Sequence, residues 1–291
     1  MIDLHTHSNA SDGELSPAGL IQAAAEQGLT ALALTDHDTI NGLSSARNEA
    51  EIQGIRFISG IEIEITGKTG ANAENAGEVN PAGEFHLLGL GIENPSPAFL
   101  AAVDELSRLR EERNLEIIDK MRKSGIEADY GELKALSGGH SVGRPHFAAF
   151  LVARRIVKNN EQAFAKYLGR GRPFFTPKAG LEFDKAAALV RESGGIPVLA
   201  HPMSLYIAWG RLPGFIKNLK DRGLMGLEAW HPSAKARSCK RLEELAKSFG
   251  LFVTEGSDFH GSARPGRKLG YTVDGRKIED AVLEAIPDLL K

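Results

Sequence analysis

Short apolar runs alternate with amphipathic segments along most of the chain. Continuous apolar runs of this length are typical of strands that are buried on both faces. They predict strands at the N-terminus and at 31–34, 56–62, 85–92, 196–200, 226–229 and 251–254. Apolar residues at helical spacing predict intervening helices at 17–27, 41–53, 213–222 and 234–249. This alternation predicts a parallel sheet that is closed or nearly closed into a barrel, with a site at the C-terminal ends of the strands.

In the middle of the chain the alternation stops. No convincing strand is visible between about residues 95 and 195, where apolar residues recur at helical spacing. The predicted helices there cover 99–121, 145–157, 159–168 and 183–193. We therefore predict two barrel segments, residues 1–98 and 196–291, and a helical insertion at 99–195.

The composition narrows the class of protein. Hydrophobic residues make up 42% and charged residues 25% of the 291 residues, as in ordinary globular proteins. The net charge of −3 provides no basic surface for long nucleic acid, although a local basic pocket is compatible with it. The single cysteine, Cys239, forms no disulfide framework and favours a reducing, cytoplasmic compartment. The first residues predict a strand rather than a signal peptide, and no apolar run approaches the roughly 20 residues of a membrane span.

Histidine, aspartate and glutamate recur at the predicted strand ends. His5 and His7 lie two residues apart on a strand and therefore point to the same face. The later clusters contain Asp12, then Asp36, His37 and Asp38, then Glu62, His86 and His201, and finally Asp258 and His260. One such pair would be weak evidence, but repeated clusters at strand ends are strong evidence for a multinuclear metal site.

Imidazole combined with carboxylate suits Zn²⁺, Mn²⁺ or Fe rather than Ca²⁺ or Mg²⁺. A carboxylate that bridges two cations would keep them close together. A water between the cations would lose a proton near neutral pH, and the resulting metal-bound hydroxide would be a nucleophile that needs no protein base.

A second candidate site lies in the predicted insertion. Pro145 can open a helix, which places Arg144 and His146 at a helix N-terminus that favours a phosphate. Arg144 adds a planar, bidentate group. The alternative is an ordinary helix start with a surface arginine. Arg172, within the run 169–175, could face a phosphate beside a base-stacking phenylalanine, or it could be solvated beside a core phenylalanine pair.

Several residues have more than one interpretation. Asp36 could orient His37 or cap the following turn. Glu228 ends a predicted strand and could brace the barrel mouth, and we assign no role to His140 or His231. The segment 66–83 is rich in Gly, Ala and Asn, so it is either a surface hairpin or a lid over the substrate.

The motifs HTHS…DG, TDHD, GIE, FHLLGLGI, GRPHFA, AHP and SDFH resemble those of the polymerase-and-histidinol-phosphatase (PHP) superfamily. The chain is most similar to its bacterial nucleoside 3′,5′-bisphosphate phosphatases and related 5′-to-3′ exoribonucleases. The resemblance implies an α/β fold, a distorted, TIM-like (β/α)7 barrel. It also implies two or three divalent ions, Mn²⁺, Zn²⁺ or Fe²⁺, at the C-terminal face.

The resemblance also implies how the ligands are shared. The first ion would be held by His5, His7, Glu62 and Asp258. Glu62 would bridge to a second ion, held also by His86 and His201. The third would be held by Asp12, His37 and His260. We count Asp36 and His260 with the catalytic residues, and Arg144, His146 and Arg172 with the substrate-binding residues.

The resulting functional hypothesis is removal of the 3′-phosphate from a 3′,5′-bisphosphonucleoside such as pAp, with possible action on short 5′-phosphorylated RNA. A phosphatase for another monoester, such as histidinol phosphate, is an alternative. A non-catalytic metal-binding regulator is another, which the complete ligand set disfavours. An amidohydrolase-type C–N hydrolase fits the Asp12, TDHD and final Asp-x-His motifs poorly. We expect no membrane association and no obligate protein partner.

Overall fold

Seven strands form one sheet, in which the order in space follows the order along the chain. The computed structural model describes residues 1–66, 81–137, 141–286 and 289. The strands are β1 (Ile2–Thr6), β2 (Ala31–Leu34), β3 (Arg56–Glu64), β4 (His86–Leu90), β5 (Ile196–Leu199), β6 (Gly226–Trp230) and β7 (Phe252–Glu255). The N–H of Asp258 donates to the carbonyl of His5 at 2.8 Å, and the N–H of His7 to the carbonyl of Phe259 at 3.0 Å. These bonds bring β7 back to β1, so the sheet is nearly closed and the predicted seven-stranded barrel is confirmed.

The prediction of an all-parallel sheet is wrong at β4. This strand runs antiparallel to both β3 and β5, whereas the other neighbouring strands are parallel. Neighbouring antiparallel strands need no crossover helix, and the sequence between β3 and β4 has no helical periodicity. His86 therefore begins its strand instead of ending it. Because the strand is reversed, its beginning lies at the same barrel edge as the ends of the others, with His86 opposite Glu64.

Helices cover the outside of the sheet where the described chain returns from one strand to the next. They are α1 (Pro17–Glu26), α2 (Leu43–Gln53), α3 (Pro97–Lys123), α4 (Tyr130–Leu136), α5 (Arg144–Ala153), α6 (Asn160–Ala163), α7 (Phe183–Glu192), α8 (Leu212–Asp221), α9 (Ala236–Ser248) and α10 (Ala281–Glu284). A π-helical turn, Phe164–Leu168, continues α6. The hydroxyl of Ser16 accepts from the N–H of Gly19, and Pro17 follows it, which explains where α1 begins. None of the described helices is long and apolar enough to cross a membrane.

The long helix α3 connects the two ends of the barrel. It begins after β4, whose reversed direction ends it at the edge opposite the strand-end histidines. With 27 residues and a rise of 1.5 Å per residue, it is about 40 Å long. Its middle returns to the histidine-bearing edge, where Arg110 forms an ion pair with Asp38. The reversed strand therefore allows α3 to deliver side chains to the site.

The region between β4 and β5 contributes to two separate apolar clusters. One lies among α3, α4, α5 and α6 and includes Ile117, Leu133, Phe147 and Phe174. In contrast, α7 packs against the barrel through Phe183 and its apolar neighbours. The division into barrel segments at 1–98 and 196–291 and an insertion at 99–195 stays a prediction.

Candidate metal centre

Buried histidines and carboxylates converge at the barrel edge where six strands end and β4 begins. All nine predicted ligands lie there, and only Asp12 is half-buried rather than buried. Three left-handed backbone positions belong to this edge, at Asp38 (φ 54°), His201 (φ 27°) and Asp258 (φ 50°). Left-handed conformations are strained for residues other than glycine, and such strain concentrates at functional sites.

The first predicted ligand set is assembled. One ligand atom from each of His5, His7, Glu62 and Asp258 lies within 4.8 Å of the other three. The Nε2 atom of His7 is 3.2 Å from both Glu62 Oε2 and Asp258 Oδ1. Both of these oxygens are buried and accept no hydrogen bond from the described residues. Buried carboxylate oxygens without donors are costly, so a cation at this position fits the residues.

Glu62 also faces the second predicted set. Its other oxygen, Oε1, lies 2.8 Å from His86 Nδ1 and 2.8 Å from His201 Nε2. The two carboxylate oxygens therefore point to different groups of imidazoles. This geometry suits a carboxylate that bridges two cations.

The third group brings Asp12, His37 and His260 together with His7. Asp12 Oδ1 is 3.3 Å from His260 Nε2 and 3.9 Å from His37 Nε2. The Nδ1 atom of His260 lies 2.8 Å from the carbonyl oxygen of Asp258. Because a carbonyl only accepts, Nδ1 carries the hydrogen, and the lone pair of Nε2 remains for a cation. This Nε2 atom is buried and has no hydrogen-bond partner among the described residues.

The charges of the cluster favour cations. Burial opposes the charged form of His5, but Glu228 and Glu62 raise its pKa well above the usual value. Burial also opposes the charge of Glu62, yet the surrounding histidines hold its pKa well below the usual value. The carboxylates therefore remain ionised, as cation binding requires.

Glu228, interpreted above as a brace of the barrel mouth, and His231, to which no role was assigned, contact the predicted ligands. Glu228 Oε1 lies 2.9 Å from His5 Nδ1, and its Oε2 accepts from the N–H of His201 at 2.7 Å. His231 Nε2 lies 3.2 Å from Asp258 Oδ2. Carboxylates that hold the outer nitrogen of a ligand histidine fix its tautomer and ring orientation. Glu228 and His231 lie at the end of β6, as the other clusters lie at the ends of their strands, and this position was the sequence signal that could have identified them.

Asp36 is hydrogen-bonded to the loop that carries Asp12. Its Oδ1 accepts from the N–H of Ser8 at 2.8 Å and from the hydroxyl of Ser11 at 2.6 Å. Its Oδ2 accepts from the hydroxyl of Ser8 at 2.6 Å. The loop that carries Asp12 therefore engages both oxygens. Asp36 supports that loop, and its part in catalysis or in orienting His37 stays a prediction.

The predicted clamp residues separate in the structure. Arg144 begins α5, and the backbone of Gly143 before it lies beside the Asp12 side chain. His146 Nδ1 accepts from the N–H of Gly143 at 2.9 Å, so this imidazole caps its own helix. Burial lowers the pKa of His146, which disfavours a phosphate-binding imidazolium. Arg172 is exposed and lies outside the cavities described below, whereas its neighbour Arg170 lines one of them.

Cationic side chains that the sequence analysis did not identify surround the cluster. Arg264 Nη1 lies 2.8 Å from Asp258 Oδ2, and Arg267 also contacts that oxygen. Lys178 Nζ is 2.6 Å from Glu64 Oε2, which is itself 2.8 Å from His86 Nε2. These residues lack a motif or a strand-end position, and folding alone brings them to the cluster.

Two cavities lie beside the predicted metal ligands. One of about 210 Å³ lies over the ligands and is lined by Glu62, His201 and Arg264. A larger one of about 560 Å³ is lined by Arg144, Arg170, Lys178 and three aromatic rings, those of Phe85, Phe175 and Tyr206. Phe174 is instead buried and stacked on Tyr167 with centroids 5.1 Å apart. The arginine–phenylalanine run at 169–175 is thus divided between the apolar core and the cavity.

Residues 67–80, most of the proposed lid, and His140 lie outside the described residues.

A seven-stranded barrel with buried histidines and carboxylates at one edge defines the class of metal-dependent hydrolases. The chain belongs to the PHP domain family, whose model matches residues 3–185. It is a metal-dependent hydrolase that acts on phosphate esters. The hypothesis of a non-catalytic regulator is therefore not retained.

Three relatives show the range of activities among similar chains. A Haemophilus influenzae 5′-3′ exoribonuclease is 37% identical over 89% of this chain and 89% of its own length. A Chromobacterium violaceum 3′,5′-nucleoside bisphosphate phosphatase is 31% identical over 94% of this chain and 92% of its own. An Eggerthella lenta phosphoribosyl 1,2-cyclic phosphate 1,2-diphosphodiesterase is 30% identical over 93% of this chain and 98% of its own length. Among solved structures, a metal-dependent phosphoesterase from Bifidobacterium adolescentis superposes with a TM-score of 0.82 at 25% sequence identity. The match covers 99% of this chain and 96% of that one.

Proposed function

We propose that the protein removes the 3′-phosphate from 3′,5′-bisphosphonucleosides such as pAp and also acts on short 5′-phosphorylated RNA. The observation that carries this proposal is the cavity of about 560 Å³ beside the metal-ligand cluster. It presents Arg144 and Lys178 for a phosphate and the rings of Phe175 and Tyr206 for a base. A pocket for histidinol phosphate would need neither a second anion site nor two rings.

Bound Mn²⁺, Zn²⁺ or Fe²⁺ would neutralise the phosphate oxygens and activate water. The chain itself would hold these ions through the three ligand groups described above. Glu228 would keep His5 in the tautomer that turns Nε2 inward, and Asp36 would hold the loop that carries Asp12. Arg144 would bind the phosphate that is not cleaved, so that remote binding energy orients the reacting one.

The relatives named as a bisphosphate phosphatase and as an exoribonuclease support this substrate class. In the substrates proposed here, pAp and short 5′-phosphorylated RNA, a 5′-phosphate accompanies the ester that would be hydrolysed. A cytoplasmic location is part of the same proposal, and the single buried cysteine supports it.

A phosphate-release screen tests the proposal. Mn²⁺-loaded protein is supplied with pAp, 3′-AMP, AMP, histidinol phosphate and short RNA with or without a 5′-phosphate. We expect the highest kcat/KM with pAp and a preference for 5′-phosphorylated RNA. Equal turnover of histidinol phosphate or 3′-AMP under the same metal and salt conditions would refute the selectivity.

The same screen applied to Arg144 variants tests the clamp. Arg144→Ala should reduce kcat/KM for pAp by about 2–4 kcal/mol without metal loss, the scale of a lost charged contact. Arg144→Lys should recover part of this, because the charge remains but the bidentate geometry does not. Arg154→Ala, in an exposed ion pair with Glu132 just beyond α5, is the matched control and should change nothing.

A further inference from the structure

Arg113 is a buried arginine without a carboxylate partner among the described residues. It lies on α3 with only 6% of its surface exposed. Its Nη2 donates to the side-chain oxygen of Asn114 at 2.8 Å, and its Nε has no hydrogen-bond partner in the described part of the chain. A buried guanidinium without a counter-charge is costly, because burial removes its hydration without replacing it.

The neighbouring cations differ from Arg113 in this respect. Arg110 is paired with Asp38, Lys178 with Glu64 at 2.6 Å and Arg144 with Glu84 at 3.4 Å. Each of these three has a carboxylate of its own. Arg113 is therefore left with an uncompensated positive charge within a group of cations.

This charge faces the predicted metal ligands across a small cavity. The cavity has a volume of about 70 Å³, which exceeds the roughly 30 Å³ of a water molecule. Asp12, His37 and His86 line it from the barrel. From the other side it is lined by the cationic side chains of Arg110, Arg113, Arg144, Lys178 and Arg264, and by Glu84, the partner of Arg144. An anion in it would lie between the ligand cluster and these cations.

Arg113 is also held in place. Asn114, which accepts from its guanidinium, is buried and donates to the carbonyl oxygen of Val142 at 2.8 Å. Burial, followed by the nearby charges of Arg110 and Arg144, lowers the pKa of Arg113 to about 9. The group is still protonated at neutral pH, and a bound anion would offset the repulsion from Arg110 and Arg144.

We infer that Arg113 is a specificity-determining residue that binds the non-reacting phosphate of the substrate together with Arg144, which lines both this cavity and the larger one. The charge of Arg113 would then be balanced only when that phosphate is bound. The inference rests on the proposed function, because it assigns this phosphate to the 5′ position of a bisphosphonucleoside. A guanidinium with free donors suits a phosphate dianion, which can accept two parallel hydrogen bonds.

The test compares two substrates with the same reacting group. Both pAp and 3′-AMP carry the 3′-phosphate, but only pAp has the 5′-phosphate. In metal-loaded Arg113→Met, kcat/KM for pAp should fall about 30- to 100-fold, as for a lost charged hydrogen bond, while that for 3′-AMP changes less than about threefold. Arg113→Lys should show a smaller loss with pAp alone. Arg108→Met, an exposed position on α3, is the control and should leave both values unchanged.

The thermal midpoint separates binding from a structural role. Because the unpaired charge is removed, substrate-free Arg113→Met should unfold at the same temperature as the wild type or a higher one. An equal loss with both substrates, together with a lower midpoint, would overturn the inference. If Arg113→Met fails to fold, an equal loss with both substrates in Arg113→Lys would do the same.

A third measurement does not depend on pAp being the substrate. Inorganic sulfate is titrated into metal-loaded wild type and Arg113→Met by calorimetry. Weaker sulfate binding in the variant supports the anion site even if the substrate screen rejects pAp. Identical sulfate binding in the two proteins would overturn the site itself.

Discussion

At the scale of single residues, Asp258 has the most demanding position. Its Oδ1 faces His5 and His7, and its Oδ2 is contacted by His231 and two arginines. Burial opposes its charge, but Arg264 and Arg267 hold its pKa well below the usual value. The carboxylate thus belongs both to the predicted ligand set and to an ion-pair network.

Replacing this carboxylate should remove metal and activity together. We expect Asp258→Asn to lose at least one bound ion per chain and to reduce phosphate release more than about 100-fold, because the neutral amide lacks the negative charge that holds the cation. Elemental analysis and phosphate release measure the two effects. Asp221→Asn, on the exposed face of α8, is the control. Full metal content with unchanged turnover would remove Asp258 from the proposed ligands.

The ligand candidates could be predicted because strand-end position and residue type are both visible in the sequence. His5, Glu62 and Asp258 satisfy both conditions. Arg113 satisfies neither, because its importance lies in a missing partner, which only packing reveals. For His146 the sequence indicated the correct helix position, but the hydrogen bond from Gly143 gives its imidazole a capping role.

At the scale of elements, the closure of β7 against β1 depends on Gly256. A side chain there would place its Cβ 2.3 Å from the Cβ of His5 and 2.7 Å from Glu228 Oε1. No flexible side-chain end is available to move away from the first of these contacts. The strand ends can therefore approach closely only with glycine at this position.

Gly256→Ala should disturb the metal site from a position that binds no metal. We expect a loss of about 1–3 kcal/mol in the free energy of unfolding, as for overpacking, and weaker metal binding because His5 is displaced. Chemical denaturation and metal titration measure both. Gly214→Ala is the matched control, since its Cβ would meet no atom within 4 Å and alanine favours the helix α8. Equal behaviour of the two variants would contradict this account.

The direction of β4 could not be predicted from its own residues. A buried strand has the same apolar pattern whether it is parallel or antiparallel to its neighbours. The absence of a helical pattern before β4 was the only available indication. The short α4 was also missed, because two turns of helix give too few apolar positions to define a period.

At the scale of the whole molecule, the histidine cluster should make the metal-free protein sensitive to pH in both directions. Burial opposes the charge of His86, but Glu62 and Glu64 raise its pKa from 6.5 to about 10. Its contribution to stability is therefore complete below about pH 6.5 and is lost as the pH rises towards 10. Burial lowers the pKa of His37 and His231, so their contributions are present above about pH 6.5 and are lost as the pH falls.

We therefore expect the chelator-treated protein to be most stable near pH 6.5 and to lose stability on both sides. Metal ligation requires neutral imidazole, so the Mn²⁺-loaded protein should retain its stability to higher pH. Thermal denaturation between pH 5 and 10, with chelator or with Mn²⁺, measures the difference. In His86→Gln the alkaline loss of the metal-free protein should be reduced. Parallel profiles with and without metal would contradict the assignment of these histidines.

The reversed strand has a consequence for how such a protein can change during evolution. Leu90 and Ile196 are paired across β4 and β5, so the chain leaves and re-enters the barrel at adjacent positions. Antiparallel neighbours of this kind are commonly joined by only two to five residues, whereas here the connection contains α3 to α7. Closing a longer connection costs little additional free energy. Lineages can therefore lengthen, shorten or exchange this one connection, and with it the side chains that line the larger cavity, while keeping the histidines and carboxylates at the strand ends.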